Sequence, residues 1–259
     1  MSHDTKINTF HSLSSEEKKS LSSGKKGIER EAIRVLKNSL ISDQSHKNYF
    51  GSALCHSYFT TDFSESLLEI ITPPFSESSD LINFLEKSHQ YVSQSINNEK
   101  LWPASMPPNF HDDDIQIAKY GVSNIAKFKT IYRKGLSKRY GKPMQAISGV
   151  HFNYSFPEII WQLNHKDGSE NNTQSFRNTF YFQTIRNISR ISWLILYLFG
   201  ASPILNKSFL RTVPNGSKCF KDNIYFPYAT SLRMSYLGYQ NDSQAYIDVS
   251  INSIDEYIS

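Results

Sequence analysis

Acidic side chains recur at alternate positions in segments that read as strands, and a third such segment carries a histidine. In Gly27-Ile-Glu-Arg-Glu-Ala-Ile-Arg-Val35 the two-residue period puts Glu29, Glu31 and Ile33 on one face and Ile28, Arg30 and Ala32 on the other. Asp62, Glu65 and Glu69 lie in or near a second segment, and His151 in a third. Carboxylates with one imidazole and no cysteine pair make a hard donor set, suited to magnesium or manganese rather than zinc. Taken singly, each acid has an ordinary reading as a solvated side chain, and a lone histidine is more often structural than a ligand. Arg133 and Arg233 can clamp phosphate or carboxylate with a planar guanidinium, against the ordinary reading of surface arginines. Neither G-x-x-x-x-G-K-[ST] nor G-x-G-x-x-G occurs, so a bound nucleotide must be held through metal and arginine contacts instead of a loop–helix cradle. A G-x-S-x-G elbow is also absent, and the adjacent Cys55-His56 point to opposite strand faces.

The elements that must position these residues follow from pattern and punctuation. Ser12 to Lys26 is polar and reads as a short helix or loose lead-in. Leu67 to Thr72 reads as a strand stopped by Pro73-Pro74. Asp80 is expected to cap an amphipathic helix running to about Asn98, with Leu81, Phe84, Leu85, His89 and Val92 at helical spacing. A second helix is expected from Lys119 to Tyr140, ended by Gly141. Met144 to Pro157 reads as a strand with Gln145, Ile147, Gly149, His151 and Asn153 on one side. Lys166 to Gln174 reads as a polar loop, and Phe176 to Phe199 as a long helix that turns strongly apolar before Gly200 and Pro203. Strands separated by helices, with hairpin-like alternation, predict an α+β fold with a partly antiparallel sheet.

Composition narrows the class. The chain has 259 residues, 39% hydrophobic and 14% aromatic, with 17 Phe and 15 Tyr, enough for a sizeable core and incompatible with intrinsic disorder or a disulfide scaffold. A formal net charge of +4, spread among interleaved acids, argues against nucleic acid or an anionic membrane as the main partner and permits an anionic small molecule. Two distant cysteines point to reduced thiols in a cytoplasmic setting. The apolar run Trp193 to Phe199 falls far short of the ~20 residues of a membrane span.

Seven ordered segments together resemble bacterial glutamate–cysteine ligase: Gly27 to Val35, Thr60 to Pro73, Leu101-Trp-Pro-Ala-Ser-Met-Pro107, Phe128-Lys-Thr-Ile-Tyr-Arg133, Ile147-Ser-Gly-Val-His-Phe-Asn153, Tyr197-Leu-Phe-Gly-Ala-Ser-Pro203, and Tyr228 to Tyr239. The resemblance implies a glutamine synthetase-like fold, a curved antiparallel sheet with flanking helices. It also implies an ATP-dependent reaction in which glutamate is activated as an acyl phosphate and captured by the cysteine amine. Magnesium would be held at Glu29, Glu31, Asp62, Glu69 and His151, with manganese an alternative. Arg133 and Arg233 would stabilise the glutamate carboxylate or the transferring phosphoryl group. Tyr132, Gln145 and Tyr239 match positions near the family's cysteine pocket, with Phe63 as its apolar wall; each has an equal reading as core.

Residues 1–259 are expected to form one catalytic domain of this type, with 1–20 as its lead-in. Members of the family continue well past the position of Ser259, with further strands, another metal-ligand glutamate and another substrate arginine. The expected domain is therefore incomplete at its C-terminal side, as a fragment or a shortened product. Two further readings fit the same residues: a two-metal phosphodiesterase or phosphatase, and a module that binds Mg-ATP or a partner without turnover.

Overall fold

The computed structural model describes residues 14–162, 173–210, 212–238 and 250–258. The architecture is α+β with antiparallel strand pairing throughout the two sheets. After a short helix α1 (Ser15–Leu21) comes the long central strand β1 (Lys25–Leu36), followed by β2 (Phe59–Thr61) and β3 (Leu67–Ile71). Helix α2 (Ser78–Ser95), β4 (Glu99–Leu101), helix α3 (Asn124–Tyr140) and β5 (Val150–Ser155) complete the first sheet and its cover. Helix α4 (Thr173–Phe199) leads to a small sheet of β6 (Ile204–Asn206), β7 (Lys218–Phe220) and β8 (Asn223–Tyr225), in the order β6-β8-β7, and α5 (Ile254–Ile258) closes the described chain.

The first sheet runs β2-β3-β1-β4, and β5 also pairs with β1. Its two faces divide as the two-residue period requires. One packs under α2, where Phe59, Leu68 and Ile70 meet Val92 and Ile96. The other is split along β1: Ile33 and Val35 join Phe63, Leu67, Phe110 and Ile115 in a second core, while Glu29 and Glu31 lie beyond its edge.

Several boundaries differ from the sequence reading. Helix α2 starts at Ser78 behind Glu77, so Asp80 is not the cap; it sits in the first turn, where a carboxylate favours the helix dipole. Helix α3 begins five residues later than expected because residues 117–120 run alongside 63–65 instead of coiling. Ala118 donates its N–H to the Phe63 carbonyl at 3.0 Å, and Lys119 donates to Glu65 Oε2 at 2.9 Å. Ser123 then caps the helix by accepting from the Ala126 N–H, and Gly141 ends it at φ 81°, a left-handed conformation that suits glycine. Lys142–Gln145 is one helical turn, started by Pro143, so Gln145 is off the strand that carries His151. The expected loop over Lys166 to Gln174 falls largely outside the described residues, although Thr173 and Gln174 already belong to α4. Cys55 and Cys219 are free and exposed. Among the described residues no helix is long and apolar enough to cross a membrane.

Beneath the sheet a buried histidine, His46, sits 1% exposed beside Phe50. Burial, with the charges of Arg34 and His56, outweighs the opposing pull of Glu65 and pushes its pKa down to about 4. The unfolded chain therefore takes a proton that the folded chain refuses between pH 6.5 and about 4. Stability from this group is full above 6.5 and is lost as pH falls toward 4. Between pH 7 and pH 5 the expected loss is about 2 kcal/mol. Urea denaturation at those two pH values should show it, and His46→Phe should flatten the slope; an unchanged slope would remove His46 as its source.

Candidate active site

Strand register, not loop placement, gathers the acids. Glu31 lies opposite Glu69, Glu29 opposite His151, and Thr60 opposite Glu69. Opposed residues on antiparallel strands project to the same side, and so do residues two apart. Thr60, Glu69, Glu31, Glu29, His151 and Asn153 thus share one face, and Asp62 continues it two residues beyond Thr60. Hydrogen bonds tie the row together. Asn153 donates to Glu29 Oε1 at 2.9 Å, and His151 Nδ1 lies 3.3 Å from Glu29 Oε2 and 3.9 Å from Glu31 Oε1. The Gly149 N–H donates to Glu31 Oε2 at 2.7 Å.

Crowding like charges in a half-buried place has the expected electrostatic result. Burial, then repulsion from Asp62, Glu31 and Glu29, pushes the Glu69 carboxyl up to about 7. Glu31 is raised in the same way, by burial first and Asp62 second. Such a face favours any cation that can lie among its oxygens. In kind the donors fit a hard divalent metal. Among the described residues, however, no group of three His, Cys, Asp or Glu side chains converges closely enough to hold an ion.

Two arginines flank this face. Arg133, on α3, donates through Nε to the Asp62 carbonyl at 2.5 Å and reaches Asp62 Oδ1 at 3.3 Å, while its guanidinium lies 4.6 Å above the Tyr120 ring. Arg233, in the turn after Ser231, donates to the Ile147 carbonyl at 3.3 Å and comes within 3.4 Å of His151 Nε2. It lies over Gly149: a Cβ there would stand 2.5 Å from Arg233 Nη2, so glycine makes room for the guanidinium.

The expected substrate residues are more scattered. Phe63 is 1% exposed inside the core of Ile33, Leu67 and Ile115, and serves as packing here. Gln145 is buried, with its Nε2 unbonded, and Tyr132 is exposed on α3. Tyr239 lies outside the described residues. Glu65, grouped with the acids in sequence, is buried away from them. It accepts from the Ser45 hydroxyl at 2.7 Å, the His46 N–H at 3.0 Å and the Lys119 N–H at 2.9 Å, and so ties two loops. Asn153 lies on the side of His151 as the two-residue period predicts, and Thr60 is an addition to the acid face that the same period from Asp62 would have supplied. Tyr120, whose hydroxyl donates to the Asp62 carbonyl at 2.8 Å, had no signal in sequence, because the contact spans 58 residues.

The site is thus an antiparallel sheet with one carboxylate-lined face, flanked by two arginines and without a glycine-rich phosphate loop. A family model described as glutamate–cysteine ligase matches residues 10–259. This chain belongs to the glutamate–cysteine ligase family. It is 46% identical over 238 residues to the glutamate–cysteine ligase of Alcanivorax borkumensis, covering 91% of this chain and 45% of that protein. To the Aliivibrio fischeri enzyme of the same name it is 47% identical, covering 90% of this chain and 45% of that one. A crystal structure of the Francisella tularensis glutamate–cysteine ligase in complex with AMP superposes with a TM-score of 0.81 at 36% identity, over 91% of this chain and 46% of that one. A bifunctional glutathione synthetase from Pasteurella multocida superposes with a TM-score of 0.77 at 29% identity, covering 99% of this chain and 31% of that one. The chain thus spans about 45% of the length of the relatives it matches, as their N-terminal portion.

Proposed function

We propose that this chain supplies the ATP- and metal-handling part of a cytoplasmic ligase that joins the γ-carboxylate of L-glutamate to the amine of L-cysteine, the first step of glutathione biosynthesis. The observation that carries the reading is the carboxylate face of Glu29, Glu31, Asp62 and Glu69 around His151, in a chain of this family. In the proposed sequence a γ-carboxylate oxygen of glutamate attacks the γ-phosphorus of ATP, and the bond to the ADP oxygen breaks. The cysteine amine then attacks the acyl carbon, phosphate leaves, and the amine loses a proton. Carboxylate alone is a poor acyl donor, which is why the phosphoryl step comes first.

Glu29, Glu31, Asp62, Glu69 and His151 would hold magnesium, or manganese in its place. The metal, when bound, supplies charge neutralisation for the phosphate oxygens. Asn153 and Gly149 orient the Glu29 and Glu31 carboxylates, and Arg133 fixes Asp62 while keeping a cation beside the site. Arg233 adds positive charge next to His151, placed to meet a carboxylate or phosphoryl oxygen. Gln145, Tyr132 and Tyr239 keep their proposed place near the cysteine amine as expectations from family resemblance alone, while Phe63, enclosed in the core, takes the packing reading instead of the pocket wall.

One observation favours a second reading, in which Mg-ATP binds without turnover: the chain spans only about 45% of the length of the relatives it matches. ADP release from Mg-ATP by the purified chain, with glutamate and cysteine omitted in turn, separates the two. Glutamate-dependent release with γ-glutamylcysteine formed is the result expected of a working ligase. Saturable Mg-ATP binding by a folded sample without release supports the second reading, and phosphodiester hydrolysis indifferent to both amino acids overturns both.

A further inference from the structure

Tyr120 stands where the extended segment 117–120 gives way to helix α3, buried among Ala53, Ala118 and Ala126. Packing asks only for its ring; the hydroxyl has a separate task. Its proton is shared between the carbonyls of Thr61 and Asp62, the latter at 2.8 Å, at the point where β2 ends and the chain turns toward β3. Burial, the largest influence on this phenol, pushes its pKa up, so it remains a donor. The ring meets two cations as well, with the Arg133 guanidinium 4.6 Å and the Lys129 ammonium 5.1 Å from its centre. From that seat Arg133 donates through Nε to the same Asp62 carbonyl at 2.5 Å, and its Nη2 reaches Asp62 Oδ1 at 3.3 Å. Asp62 is thus gripped at its backbone by two donors and at its carboxylate by a third. Its side chain is 44% exposed and without such a grip has rotamer freedom to lose on meeting a ligand. The position of that carboxylate matters to the whole row, because among charged neighbours Asp62 repels both Glu69 and Glu31 most strongly.

We propose that Tyr120 is a positioning residue of the carboxylate face: its hydroxyl on the Asp62 backbone and its ring against the Arg133 guanidinium together set where the Asp62 carboxylate stands relative to Glu69 and Glu31. Tyr120 touches neither cation nor substrate and acts through Asp62 and Arg133. Losing the hydroxyl leaves the Asp62 carbonyl with the Arg133 donor alone and frees the turn after β2 to shift its aspartate. A group one step removed from an ion's ligands typically changes the ion's affinity by about 10–100-fold when it is lost. The inference rests on the proposed cation-holding role of this face and adds to it a residue that fixes the geometry.

The test titrates the purified chain and its variants with manganese, the free ion being read by its paramagnetic resonance. The expected result is saturable binding by the parent and a dissociation constant raised about tenfold or more in Tyr120→Phe, with the variant folded by circular dichroism. Val92→Ala, in the core between α2 and the other face of the sheet, is the control for lost stability: it should lower the denaturation midpoint and leave manganese affinity at the parental value. A tyrosine that only packs would behave as Val92 does. Arg133→Lys keeps the charge but loses the planar donor seated on the ring, and should also weaken binding; it keeps the test decisive if Tyr120→Phe does not fold. Parental affinity in folded Tyr120→Phe, or in Arg133→Lys where the first variant does not fold, overturns the positioning role while the cation-holding face stands. A folded parent that binds no manganese overturns the reading of the face, and this inference with it.

Discussion

Glu69→Gln is expected to make the metal-free chain more stable at pH 8 while removing its response to divalent cations. Below about pH 4.5 the carboxyl is neutral in both folded and unfolded states and costs nothing. As pH rises toward 7 the unfolded chain ionises first, and above 7 the folded chain carries a charge pressed against Asp62, Glu31 and Glu29. Glutamine never carries that charge. After discounting for partial exposure, the gain should be about 1–2 kcal/mol at pH 8 and close to zero at pH 4. Millimolar magnesium should raise the denaturation midpoint of the parent more than an equal ionic strength of sodium does, because an ion bound only to the folded state stabilises by mass action. The variant should lose that difference. In any preparation that turns over, the same substitution should lower kcat by on the order of 10²-fold or more. A variant less stable than the parent at pH 8, or equally responsive to magnesium, would separate Glu69 from the cation-holding face.

The second large effect is structural. Arg34 is 0% exposed, with Nη1 2.6 Å from Glu99 Oε2 and Nη2 donating to the carbonyls of Gln44 at 2.6 Å and Glu65 at 3.0 Å. Glu99 in turn accepts from the Ser42 hydroxyl at 2.5 Å and from the Tyr49 hydroxyl at 3.0 Å. β1, β4 and the segment from Ser42 to Tyr49 are joined through one buried charge pair. Removing a single partner leaves the other ionised in a dry place. Arg34→Met and Glu99→Gln should each cost about 3–5 kcal/mol. Replacing both, as Arg34→Met with Glu99→Leu, should cost less than the sum of the single changes, because no uncompensated charge remains. A chemical denaturation cycle measures the coupling; additive costs would mean that the two charges do not act as a pair.

How much of this was legible in the sequence depends on how local the cause is. Alternation in Gly27 to Val35 is a property of neighbouring residues, so the faces of β1, and Glu29 with Glu31 on one of them, could be read directly. Helix starts were less readable. Asp80 is as good a cap as Ser123 in isolation, and only the extended pairing of residues 117–120 with 63–65 decides where α3 begins. The separation of Glu65 from the other acids was invisible, because three donors from distant segments claim it. Phe63, likewise, is assigned to the core by a cluster whose members are distant in sequence, Phe110, Ile115 and Ala146 among them. The apolar end of α4 was read correctly as apolar, yet its exposure is a property of what lies beside it.

The antiparallel register of β1 with β3 has a consequence for how the chain finds its fold. A slip of one residue would turn Glu29 and Glu31 toward α2 and its packed aliphatic side chains, while Arg30 and Ala32 would face the polar side. Desolvating two carboxylates against that core is costly enough to empty the slipped state. The same acids that crowd one another in the finished sheet therefore act as a proofreading device during strand pairing. An alternative register fails before any ligand is present to discriminate against it.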